Sequence, residues 1–474
     1  MTAGRLTSRN QPAALPRSET AAEDAWSKRL QYAENSQALF WLFLCYVLFF
    51  YLQGGFRYEV FGRIRFEMIV GSILVVASAL SISAPRRGAR KQEKSGVVGW
   101  VVATFAVAAL MSAMSYAPEI SWDVLVDRVL KLAMMALFIS AMITSPKRLR
   151  WFLVTYLFAF LKMAQEGVLG FFTGSLVWEN QGTPRLHGST PNYAHPNSFS
   201  GTQLGTLPFL RYLYPLVSKW IKWIILGQAL AAIMIVVTTG SRTGYVATGV
   251  WILFLLLQSK QKFKAIAIAI ISLGIAWPLI PEDYHKRLDT IFTQKDQEGA
   301  SIDMRKQIYS DAWEIFKSHP FGVGVGAFST VRYNTFKRDQ ATHELYLEVA
   351  CDLGIQGFII FMGVVLSMLR ASRRVVKRVE DQLAQLPVDP TGTVWNAAER
   401  ERLNGHRADL DLIRATAQAV FSFLIIRLGL GLFGHDFYEI YWWFSAGILI
   451  ALFRILSTAE ERTQHFVTVS KQPA

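Results

Sequence analysis

The sequence is poor in cysteine, with only Cys45 and Cys351 in 474 residues, and it holds no Cys-x-x-Cys pair and no Cys/His cluster. Both thiols fall in apolar runs and read as packed side chains that say nothing about redox compartment. The chain also lacks any convincing internal repeat. The triple-glycine stretch Pro320-Phe-Gly-Val-Gly-Val-Gly326 lacks the preceding strand and following helix of a nucleotide loop, which leaves a flexible turn. Charge is scarce in particular places. Residues 116–122 and 432–437 carry no Lys or Arg, and 240–243 carry only Arg242.

What is abundant is apolar. Hydrophobic residues make up 52% of the chain, aromatics 13%, and mean hydropathy is +0.27, too apolar for an ordinary soluble protein. Runs of roughly 17–25 apolar residues recur, the length that crosses about 30 Å of hydrocarbon as a helix. Twelve such spans are expected near 37–54, 66–84, 97–115, 123–144, 151–172, 197–217, 222–239, 244–259, 264–280, 343–369, 413–431 and 438–455. The first begins too late for a signal-peptide core and has no small-residue cleavage site after it. The fold class expected is therefore an all-α integral membrane protein with about twelve transmembrane helices.

Orientation follows from where Lys and Arg collect in short loops. One alternate set carries Arg86, Arg87, Arg90, Lys91 and Lys94; Lys147, Arg148 and Arg150; Lys219 and Lys222; and Lys260, Lys262 and Lys264. The opposite set is sparse, except that 55–65 holds Arg57, Arg63 and Arg65. Both termini are thus expected in the cytoplasm, and the +14 net charge reads as topology and anionic-lipid contact, with no nucleic-acid partner. The expected organisation is a cytoplasmic tail 1–36, spans 37–280, an outer loop domain 281–342, a span 343–370, a cytoplasmic loop 371–412, spans 413–456 and a cytoplasmic tail 457–474. Residues 25–39 can form a surface helix, and 371–412 reads as a helical hairpin or, preferentially, a solvated connector.

Ionisable groups at membrane depth are costly, on the order of 2.5–3.5 kcal/mol at a helix centre, so they mark sites. Four separate segments deliver them to the outer face: Arg185, His187 and His195; Arg242; Arg305; and His343. The stretch Asp303–Ser318 has a helical apolar period through Met304, Ile308, Tyr309, Ala312, Trp313, Ile315 and Phe316, with Arg305 expected near the centre of that face. Ser301 or Asp303 would cap it, and Pro320 follows its end. Arg305 is then either a structural ion-pair partner or a fork for phosphate. Arg242 is a snorkelling anchor or an anion ligand. His343 is followed by Glu344, Glu348 and Asp352, an acidic stripe that would orient it and raise its basicity as a base. Glu166 with Lys162 reads as a buried pair, and Arg427 as a phosphate ligand or an anchor. No His-x-x-x-His or Asp-x-Asp set stands on the outer face, so no metal site and no cofactor are expected.

Three stretches taken together resemble a known family. They are Arg185-Leu-His-Gly with Asn192 and His195-Pro-Asn197; Ser241-Arg-Thr-Gly; and Arg305, Trp313, His319-Pro-Phe-Gly-Val-Gly-Val-Gly, His343-Glu-Leu-Tyr-Leu and Gly354-Ile-Gln-Gly. In this order, over roughly 180–365, they are similar to the O-antigen ligase and polymerase superfamily of bacterial envelopes. The resemblance implies a bacterial inner-membrane enzyme that transfers a glycan from an undecaprenyl-diphosphate carrier to an acceptor on the periplasmic side, without metal or nucleotide. It implies catalytic roles where His343, Arg305 and Arg242 stand, with Arg185, His187, His195, Arg427 and Glu344 as substrate-binding candidates. The family commonly has His-Asn where this chain has His343-Glu344. The implied partners are the carrier-linked glycan, lipid A-core or another glycan acceptor, and membrane lipids. Ligase is the preferred reading and polymerase the second. Protein O-glycosyl transfer lacks its large soluble C-terminal extension here. A transporter would need charges near the midplane and repeated halves.

Overall fold

The computed structural model describes residues 36–83, 95–180, 183–279, 282–285, 300–387, 397–434 and 436–469. The expected surface helix at 25–39 and the basic run 86–94 lie largely or wholly outside them. The described chain is almost entirely helical: α1 (Gln37–Tyr51), α2 (Phe66–Ser83), α3 (Val97–Ala113), α4 (Pro118–Val124), α5 (Lys131–Met142) and α6 (Pro146–Phe172) come first. A π-helical segment, Leu125–Leu130, joins α4 to α5. An antiparallel pair β1 (Val177–Asn180) and β2 (Thr183–Leu186) follows, with Trp178 opposite Arg185. Then come α7 (Pro196–Leu204), α8 (Leu207–Leu213), α9 (Lys219–Thr238), α10 (Arg242–Gln258) and α11 (Lys262–Ala276). The last are α12 (Ala300–Ser318), α13 (Phe328–Phe336), α14 (Leu345–Gln385), α15 (Ala397–Gly431) and α16 (Ile440–Val469).

Six of these, α2, α6, α9, α14, α15 and α16, are long and apolar enough to cross a membrane, while α1 and α3 are apolar but shorter. The all-helical membrane class stands, but a count of twelve spans does not follow. The expected span 197–217 is split into α7 and α8 and ends in the 3-10 turn Tyr214–Leu216; 123–144 is a composite running through the π-helical segment. Large apolar side chains such as Met68, Ile73 and Leu80 on α2 and Trp220, Ile224 and Ile233 on α9 are exposed, as a lipid-facing surface requires. Cys45 is also exposed rather than packed, whereas Cys351 is buried.

Helix α15 lies at the centre, packed on α14, α8, α10 and α16. Residues 371–385 and 397–412 are not a solvated connector. They continue α14 and α15 as helix and bury Val375, Val379, Leu403 and Leu410. The C-terminal part of α16 joins them through the buried trio His406, Thr463 and Gln382, linked at 2.8 and 3.0 Å. A periodic apolar face interrupts the charges there and is what drives this packing.

Contacts between connections sort into two sets. In one, Asn192 N–H reaches Gln53, Arg57 reaches Glu166, Tyr116 N–H reaches Val323 O, and Arg128 reaches Glu439. In the other, Arg150 reaches Asp409, Tyr212 reaches Gln258, and Arg378 reaches Glu460. The first set joins the segments that charge bias assigns to the outer face, and the second joins those assigned to the inner face.

Candidate functional site

Arg185 ties the first of the sequence motifs to the turn that precedes the second. It is buried on β2, donates from Nε to Thr239 O at 2.9 Å, and donates from Nη2 to Asn197 Oδ1 at 2.9 Å. The turn into α10 is closed by Ser241, whose Oγ accepts from Gly244 N–H at 3.1 Å as an N-cap. Arg242 is the first residue of that helix, so it stands at the helix's positive end. His195 caps α7, its Nδ1 accepting from Asn197 N–H at 3.2 Å. His187 packs on Trp178, with its Nδ1 2.9 Å from Gly188 O. The Tyr284 ring sits near Gly240 in the same turn; burial, aided by Asp283, pushes its phenol up to about 12.

The second group forms where α12 meets the start of α14. Arg305 is half-buried, with Cζ 6.0 Å from the centre of the Phe433 ring. Tyr309, one turn on, lies within electrostatic reach of both Arg305 and Glu344. Burial raises its phenol, Arg305 opposes that, and Glu344 adds to it. His343 is exposed, with φ +51, a left-handed conformation that costs a non-glycine residue on the order of 1–3 kcal/mol and is therefore found where the surroundings demand it.

The carboxylates of the acidic stripe, expected to orient His343, accept from backbone N–H groups and a phenol. Glu344 is the N-cap of α14, its Oε2 accepting from Leu347 N–H at 2.6 Å. Glu348 accepts from Phe437 N–H at 3.2 Å. Asp352 accepts from Gly326 N–H at 3.0 Å, Phe328 N–H at 3.1 Å and the Tyr438 hydroxyl at 2.8 Å. All three carboxylates hold backbone in place.

Arg305 is also not at the centre of the buried face of α12. Ile308, Asp311, Ala312 and Ile315 are, while Met304 and Trp313 are exposed. The structural ion pair of this helix belongs to Asp311, which takes Arg332 at 2.9 Å and Arg338 at 2.9 Å. The helix ends at Ser318 as expected, and the side chains of the expected caps Ser301 and Asp303 lie outside the described residues.

Glu166 does meet Lys162, at 3.4 Å, but its main partner is Arg57. Arg57 donates from Nη1 and Nη2 to the two carboxylate oxygens at 2.9 and 2.7 Å, and Ser189 Oγ donates at 2.6 Å. Arg63 pairs with Glu59 at 2.6 Å. These pairs answer two of the outer arginines that broke the charge pattern. Arg427, 2% exposed, donates to Gly201 O at 2.8 Å, lies 3.4 Å from Asp436 and covers the Tyr441 ring. Those are the contacts of an anchor between α15, α7 and the loop before α16.

The triple-glycine stretch is fastened rather than flexible. Val323 N–H donates to Cys351 O, Gly324 N–H to Asp352 O, and Ser121 Oγ to Val325 O. Gly324 has φ +117, and a Cβ there would come within 2.0 Å of Ser115 Oγ, so only glycine fits. Opposite it, Gly354 breaks the helical dihedrals of α14 at φ 70, where a Cβ would meet the Phe321 backbone at 2.3 Å.

Sequence reasoning missed Arg57, Asp311 and the segment 432–439. Asp311 was visible as an acid on the apolar stripe between Ile308 and Ile315. Segment 432–439 was noted only for lacking cations, yet it supplies Phe433 to Arg305, Asp436 to Arg427 and Tyr438 to Asp352.

Comparison with known proteins finds that residues 228–362 match the family model described as O-antigen ligase, and that no curated protein matches the chain. The matched stretch begins within α9 and ends within α14, so it contains Arg242, Arg305, His343 and the glycine stretch. Arg185, His187, His195 and Arg427 lie outside it. The match supports the O-antigen ligase and polymerase superfamily.

Proposed function

We propose that this protein belongs to the O-antigen ligase and polymerase superfamily and acts on the periplasmic side of a bacterial inner membrane. It transfers a glycan from undecaprenyl diphosphate to a hydroxyl of lipid A-core. The observation that supports the reading is that Arg242, Arg305 and the His343-Glu344 corner all fall inside the matched stretch, with Arg305 and Glu344 both acting electrostatically on Tyr309.

The chemistry follows from those groups. His343 takes the proton of the acceptor hydroxyl as its oxygen attacks the anomeric carbon. The bond from that carbon to the diphosphate breaks, and undecaprenyl diphosphate leaves with the electron pair. A single displacement inverts the anomeric centre. Arg305 and Arg242 stabilise the charge growing on the leaving diphosphate, and Arg185 holds the Thr239–Arg242 turn in register. Arg427 serves as an anchor.

Joining carrier-linked repeats is the second reading, and both belong to the class that the family match supports. The lipopolysaccharide gel of a deletion strain separates them. Loss of all core-attached repeats is the expected result. A single retained repeat indicates the polymerase, and an unchanged ladder contradicts both.

A further inference from the structure

The proposed reaction leaves unused a cavity of about 280 Å³ where the end of α8 and its 3-10 turn face α15. Arg211, Tyr212 and Leu216 line one side, and Asp411, Arg414 and Gln418 line the other. Arg414 Nη2 donates to Asp411 Oδ1 at 2.7 Å, which engages one of the five N–H donors of its guanidinium. Arg211 is exposed in the last turn of α8, with Cζ 5.6 Å from the centre of the Tyr212 ring. Tyr212 in turn donates to Gln258 at 3.2 Å. Two cations thus share one carboxylate along the lining, and the surplus positive charge suits an anion. The planar fork of arginine matches phosphate in particular.

The depth of the cavity points to a lipid. From Asp411 to Gly431, α15 rises about 30 Å at 1.5 Å per residue, the thickness of the hydrocarbon layer. Gly431 is the end next to Phe433 and Arg305, so the cavity lies at the level of the opposite membrane surface, where charge bias expects the cytoplasm. The connection into α9 extends its surroundings: Lys222 Nζ stands 5.4 Å from the centre of the Tyr214 ring, and Trp220 and Trp223 are exposed. Exposed indoles beside lysines mark the headgroup level of a bilayer. A basic pocket between helices at that level is suited to an anionic headgroup. The volume is near the lower limit of small-molecule pockets, which fits a headgroup rather than a saccharide repeat.

We propose that this cavity binds the phosphate of an anionic phospholipid headgroup, held by Arg211 and Arg414. The site is separate from the glycosyl-transfer groups and does not depend on that reading. The test uses the full chain in neutral detergent, with Tm followed as phosphatidylglycerol, phosphatidylcholine or inorganic phosphate is added. Phosphatidylglycerol should raise the Tm saturably, and neither of the others should. Arg211→Gln and Arg414→Gln should each raise the phosphatidylglycerol concentration at half effect about tenfold, as the loss of a charge-assisted hydrogen bond implies. Lys260→Gln removes an exposed cation outside the cavity and should leave that concentration within about twofold. Arg414→Gln also takes the partner from Asp411, so the exposed Arg211 keeps the test sound if that variant fails to fold. No shift with phosphatidylglycerol overturns the proposal, as does an equal shift with phosphatidylcholine. A shift with inorganic phosphate alone overturns the lipid as the source, and an equal loss in Lys260→Gln overturns the cavity as the site. Each of these outcomes leaves glycosyl transfer intact, because the readout is binding.

Discussion

Glu344 shows how one side chain can serve structure while standing beside chemistry. The corner at His343 must turn from φ +51 into a helix within two residues, and the Glu344 carboxylate fixes that turn by accepting from Leu347 N–H. Asparagine, the residue common in the family the motifs resemble, caps helices through the same acceptor geometry. Glu344→Asn is therefore expected to keep both the helix start and glycan transfer within a few fold. Glu344→Ala removes the acceptor and should cost about 0.5–2 kcal/mol, read as a fall in Tm in detergent. A Glu344→Asn protein as inactive as a His343→Ala one would mean that the carboxylate itself takes part in the reaction. His343, Arg305 and Arg242 were legible as candidates because cations at a membrane rim stand out against apolar sequence. Their partners were not legible, because the acids that looked like companions of His343 bond to backbone N–H groups up to about ninety residues away in the chain.

At the level of elements, the apolar period of α12 located the helix correctly but not its orientation. A seven-residue stripe is wide enough that Arg305 and Asp311 both fall within it, and the buried ion pair of Asp311 with Arg332 decides which one faces the core. The glycine stretch was misread for a related reason. Composition suggests mobility, whereas three positive-φ glycines pressed against Ser115, Val124 and the break at Gly354 make a fixed strap between α4, α14 and α12. Gly324→Ala should force a left-handed alanine against Ser115, costing on the order of 1–2 kcal/mol in backbone strain with a further 1–3 in overpacking. The measurable outcome is reduced membrane abundance and a lower Tm, with Gly249→Ala, which meets open space, as the neutral control.

For the whole molecule, hydropathy located the helical segments because a bilayer leaves no alternative for long apolar runs. It did not fix their number, since broken and composite helices such as α7–α8 and α4–α5 share the composition of single spans. Two of the arginines that broke the expected charge pattern, Arg57 and Arg63, are paired with Glu166 and Glu59. Arg185 holds the turn that carries Arg242, and Arg305 lies with Tyr309 by the His343-Glu344 corner, two groups from which the proposed mechanism is built. The most direct test is the rate of glycan transfer in liposomes by His343→Ala and Arg305→Ala proteins present at wild-type abundance. Loss of the base should slow transfer on the order of 10²–10⁴-fold, and loss of the arginine on the order of 10²–10³-fold. Full transfer by both variants would contradict the assignment.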